Sequence, residues 1–137
     1  MKKILVFLAA LLYSSAVFAQ VLPPRAVPIT ISAVGTTGVV TATLPAAVGM
    51  TTYLCGFSIR SNATAAVTGN ATVTGTVSGT LNFTQWVAPA ASGIGVIEPP
   101  FLDCIPGSSI NTAIAVNSIA AGTAGVTSVS AWGYQLQ

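Results

Sequence analysis

Tyr53-Leu-Cys-Gly-Phe-Ser-Ile59 is the stretch whose reading decides the fold. Tyr53, Cys55, Phe57 and Ile59 share one parity and Leu54, Gly56, Ser58 and Arg60 the other, the alternation of a half-buried strand. The first set is expected to face inward. One other cysteine exists, Cys104, close to Pro99, Pro100 and Pro106. A disulfide between Cys55 and Cys104 would tie this strand to a distant proline-rich segment.

Working outward, the 137 residues amount to one domain once the first twenty are set aside. Lys2 and Lys3 precede an apolar run over residues 4–12, and Val17-Phe18-Ala19 resembles a signal-peptidase site. Residues 1–19 therefore read as a helical signal peptide, with Gln20 beginning the mature chain. No cysteine at that junction offers a lipid attachment point, and no later apolar run approaches the roughly 18 residues of a membrane span. The expectation is an exported, soluble product in the periplasm, the extracellular space or a virion surface, where disulfides persist.

Both lysines leave with the leader, so Arg25 and Arg60 balance Glu98 and Asp103 in the mature chain. A neutral surface lacks the basic stripe a nucleic-acid binder uses against phosphates, and it has no pull toward anionic lipid. It also lacks the charges that normally guard sheet edges, so either Thr, Ser and Asn do that work or other copies of the chain cover the surface, and self-association is the expectation.

Residues 20–28 contain Pro23, Pro24 and Pro28 and read as an extended arm. From residue 29 to 137 short runs rich in Val, Ile, Thr and aromatics alternate with Gly, Pro, Asn and Ser, the pattern of a single all-β domain. Strands are expected over 29–34, 39–44, 52–60, 71–77, 80–87, 94–98, 112–117 and 126–135, with a hairpin turn at Ser78-Gly79. Eight such strands suggest a two-sheet antiparallel sandwich of jelly-roll type, with an immunoglobulin-like Greek key as runner-up.

The chain has no histidine, which removes Ser-His-Asp and Cys-His machinery and histidine metal sites. Glu98 and Asp103 are the remaining carboxylates, and two of them with no further oxygen ligands make a poor calcium site. They read as structural charges able to pair with Arg60 once the cysteines join. No cofactor, metal or catalytic residue is expected. Trp86 falls on the polar parity of its run and is a candidate sugar-stacking platform, extended by Trp132 and Tyr134 if these lie nearby. Thr72, Thr74 and Thr76, with Thr41 and Thr43, repeat a Thr-x-Thr spacing that also occurs on ice-binding surfaces.

Thr52-Tyr-Leu-Cys-Gly-Phe57, Asp103-Cys-Ile-Pro-Gly-Ser108, Asn111-Thr-Ala-Ile114 and Ala131-Trp-Gly-Tyr134 follow a leader and a proline-rich arm. In this combination the chain resembles a group of small, uncharacterised exported two-cysteine proteins found in proteobacteria and in phage and metagenomic sequences. The resemblance spans nearly the whole mature chain. It implies paired cysteines, a compact β-sandwich and a phage or surface-assembly connection, and it carries over no catalytic residue.

The resulting expectation is a non-enzymatic exported domain acting by surface contact, as a structural, decoration or adhesion component of a cell envelope or virion. The alternative is a carbohydrate-binding module using exposed aromatics, and an ice-binding surface is a third reading.

Overall fold

The computed structural model describes residues 22–99 and 101–137, so the leader expected over residues 1–19 lies outside them. The described residues form nine strands: β1 (Val27–Thr36), β2 (Thr41–Leu44), β3 (Thr51–Ala63), β4 (Val67–Thr76), β5 (Gly79–Pro89), β6 (Gly95–Ile97), β7 (Ile105–Pro106), β8 (Ile114–Asn117) and β9 (Val126–Leu136). One short 3-10 turn, Ala90–Ser92, follows β5. The all-β expectation holds. Each of the eight expected strands has its counterpart, and the two-residue β7 is additional.

The strands hydrogen-bond along one path, β1-β9-β3-β5-β4-β8-β2, with β6 and β7 both paired to β3. Its two end strands, β1 and β2, pack beside one another, so the sheet is nearly closed and barrel-like. The expected antiparallel sandwich of two separate sheets is not what these pairings trace. The sheet is mixed, because β3 and β5 meet in parallel at Asn62 with Ala88 and Ala63 with Pro89. Neither the jelly roll nor the Greek key was expected to contain such a join, which depends on the path of β5 around the core and has no signature in its local sequence.

Strand β3 is the longest and carries the join. Its alternation does not run through unbroken: Leu54 pairs with Gly133 and Gly56 with Trp132, leaving Cys55 as the extra residue of a β-bulge. The bulge switches the inward parity. Thr52 and Leu54 point inward before it, and Phe57, Ile59, Ser61 and Ala63 after it, all at most 2% exposed. The inward reading therefore holds for Phe57 and Ile59, while Tyr53 sits on the outer face, stacked on Tyr134 with ring centroids 4.6 Å apart. Arm and strand also meet differently from the expected boundary. Pro23 to Ala26 form a turn closed by the Ala26 N–H donating to the Pro23 carbonyl, and β1 begins at Val27, before Pro28. A proline is tolerated there because β1 hydrogen-bonds along one side only, to β9.

The core is Leu44, Leu54, Phe57, Ile59, Val73, Ile114, Val116 and Val129 with their smaller neighbours. Burying each such side chain contributes about 2 kcal/mol. Phe101, from the connection between β6 and β7, tilts against Phe57 and meets Phe83 edge to face, bridging the place where β3 and β5 diverge. That connection is fastened to β3 by the Cys55–Cys104 disulfide, as expected from the cysteine count.

Polar side chains close the seams. Gln85, fully buried, donates from Nε2 to Ser61 Oγ (3.3 Å) and accepts at Oε1 from the Ile119 N–H (2.8 Å), linking β5 to β3 and to the loop after β8. The Pro45 carbonyl, just past β2, accepts from Gln135 Nε2 (2.7 Å) and Thr52 Oγ1 (3.1 Å), drawing β2 against β9 and β3. The Ser118 hydroxyl accepts from the Val40 N–H (2.9 Å). The Thr127 hydroxyl, also fully buried, has no partner among the described residues.

Two outcomes are expected. The disulfide closes a loop of 49 residues, for which the chain-entropy relation gives about 4 kcal/mol. Urea unfolding of residues 20–137 with and without reductant should differ by about that amount. Thr127→Val removes an unpaired buried hydroxyl at nearly constant shape and should stabilise the domain by about 1 kcal/mol, read as a rise in Tm by calorimetry.

Candidate binding face

On β1, β9, β3 and β6 the residues that do not enter the core lie in register on one outer face. Ser32 is opposite Ser130, which is opposite Ser58. Beyond Ser58, Glu98 follows the last pair of the β3–β6 ladder, Ile59 with Ile97. These four side chains form a polar row across four adjacent segments. Ser32 Oγ and Ser130 Oγ are 2.9 Å apart, and Ser58 Oγ donates to Glu98 Oε1 at 2.7 Å. In the next row toward the end of β3, Arg60 stands opposite Ser128 and Val96 and donates from a terminal nitrogen to the same Glu98 oxygen, at 3.3 Å. The expected pairing of a carboxylate with Arg60 thus falls to Glu98.

In the row on the other side, Thr30 lies opposite Trp132 and Trp132 opposite Gly56. The indole covers Gly56: a Cβ there would collide with the ring, so this position requires glycine for a close approach. Ser58, Arg60, Glu98, Ser128, Ser130 and Trp132 together line a surface depression of about 380 Å³. A second depression of about 250 Å³, reached by Pro28, Thr30 and Cys55, lies against Trp132 and is also lined by it. Trp132 remains 40% exposed.

The electrostatics of this face are those of a closed pair. The Glu98 carboxyl is held below its ordinary value of 4.5, first by the Ser58 hydrogen bond, then by that from Arg60. It is thus ionised through the neutral range, and the adjacent guanidinium cancels its charge. At the far end of the face Tyr134 is pushed up, first by burial and then by neighbouring Tyr53.

The three aromatic candidates are not assembled into one platform. Trp132 is exposed on the serine-lined face. Tyr134, two residues on, is 9% exposed and spends its ring on Tyr53. Trp86 is 48% exposed on β5, opposite Thr68 of β4, and lines neither of the depressions beside Trp132. Four of the five threonines share an outer face in two adjacent rows, interrupted by Asn117 and Ala115. Asn117 stands between Thr41 and Thr72, bonded to both, Ala115 stands between Thr43 and Thr74, and Thr76 is buried and donates to the Gly79 carbonyl. The serines of the polar row are what sequence reasoning missed. Their parity marks them as outward, but their alignment follows from the pairing of β1 with β9 and β9 with β3. Comparison with protein-family models, curated proteins and solved structures found no match.

The Glu98 pKa is lower folded than unfolded, so its stabilising contribution is present above the ordinary carboxylate range and fades as pH falls through the folded value. Carbon-13 NMR of the side-chain carboxyl should place the Glu98 midpoint below 4.5. Ser58→Ala, which removes the larger cause, should move that midpoint upward.

Proposed function

We propose that this chain is an exported, non-enzymatic β domain that acts by surface contact, as a structural, decoration or adhesion component of a cell envelope or virion. The observation that carries the reading is the concentration of chemistry on one outer face. A chain with very few charged residues places Arg60 and Glu98 there together, beside an exposed Trp132 and a row of serines.

The same geometry speaks for contact over turnover. Glu98 is committed to Ser58 and Arg60 and kept ionised, a poor arrangement for a general acid at neutral pH. Export is supported by the leader-like first residues and by the disulfide, which persists in oxidising compartments. Among the described residues no helix is long and apolar enough to cross a membrane. The expected self-association has an edge to use in β1, which hydrogen-bonds along one side only, to β9. The outer face is the second partner surface.

Co-sedimentation of labelled residues 20–137 with envelope fragments of the producing cells tests this. Saturable binding that weakens in Trp132→Ala is expected. A chain that stays in the supernatant at every concentration, and is monomeric by light scattering, would sink the proposal.

A further inference from the structure

We infer that the depression beside Trp132 is a binding site for an uncharged pyranose oligosaccharide. This inference rests on the surface-contact reading above and names the chemistry that would be contacted. Three features of the face carry it.

The first is the platform. Trp132 projects from the outer face of β9 with 40% of its surface free, and its other side is seated on Gly56. An indole fixed in orientation and partly exposed is suited to the apolar C–H face of a sugar ring, since aromatic side chains combine large apolar area with little conformational freedom to lose.

The second is the donor and acceptor row one register step away. Ser32, Ser130, Ser58 and Glu98 follow one another across adjacent segments, at a lateral spacing of about 4.8 Å. A sugar ring stacked on Trp132 would turn its equatorial hydroxyls toward this row. Hydroxyls both donate and accept, matching the hydroxyls of a saccharide. Both protein contacts of Glu98 fall on Oε1, so Oε2 keeps its acceptor capacity, and Arg60, 64% exposed at its side chain, retains further N–H donors.

The third is charge. The single cation and single anion of the site neutralise each other at 3.3 Å. A phosphate, sulfate or uronate would have to compete with Glu98 for Arg60, and a cationic ligand would have to compete with Arg60 for Glu98. A neutral, hydroxyl-rich ligand meets no such opposition. The second depression, on the Thr30 and Pro28 side of Trp132, extends the surface and fits a chain of rings better than a single one.

The test is a tryptophan-fluorescence and calorimetric titration of residues 20–137 with cellohexaose, maltohexaose and chitohexaose, and with polygalacturonate as the charged counterpart. At least one neutral hexamer should bind saturably. Trp132→Ala should weaken that binding roughly tenfold or more, and Ser130→Ala and Glu98→Gln by several-fold each. Trp132→Phe should recover part of the loss, and circular dichroism melts of each variant separate lost binding from lost fold. The inference is overturned if no neutral hexamer binds, if polygalacturonate binds more tightly than all three, or if Trp86→Ala abolishes binding that Trp132→Ala leaves intact. Envelope co-sedimentation with a binding hexamer added as competitor keeps the two readings apart. Retained co-sedimentation when no neutral hexamer binds rejects the saccharide and leaves surface contact standing, whereas no co-sedimentation rejects the broader reading.

Discussion

One extra residue in β3 sets the arrangement of the whole barrel. Because Cys55 has no partner on β9, the strand presents even-numbered residues inward before it and odd-numbered residues after it. Leu54 and Phe57 can then both enter the core, Tyr53 turns out to stack on Tyr134, and Gly56 comes to lie under Trp132. The thiol of the unpaired residue is free to meet Cys104. A bulge also bends and twists its strand, as a sheet must to close on itself.

Closure in a chain so poor in charge relies on neutral polar groups. Gln85, Ser118 and the doubly accepting Pro45 carbonyl stitch places where ladder hydrogen bonds run out, and Phe101 bridges the divergence of β3 from β5. Apart from the bond of Thr52 to Pro45, seven residues apart, each joins partners far apart in sequence, so these bonds form only when the barrel does. Thr127 is the exception, a buried hydroxyl left without a partner among the described residues. The disulfide complements the stitching by limiting the unfolded chain and by holding the Phe101 connection against β3.

The same closure produces the candidate face. Strands β1, β9 and β3 pair in a register that aligns three serines, and the β6 segment brings Glu98 beside Arg60 and Ser58. The result is a neutral, hydroxyl-lined surface with one fixed indole. Its chemistry is directional hydrogen bonding and stacking, with little long-range electrostatic attraction.

Much of this was legible in the sequence. The period-2 runs locate eight of the nine strands, and the count and setting of the cysteines point to their pairing. These are local or compositional properties, carried by side-chain chemistry that needs no partner to be read. Only the tertiary structure decided the bulge at Cys55, the parallel join of β3 to β5, the separation of Trp86 from Trp132 and the alignment of Ser32, Ser130, Ser58 and Glu98. Each depends on which strand lies beside which and in what register. That choice is made by packing and loop closure over the whole chain, and a one-residue shift moves every side chain of a strand to the opposite face.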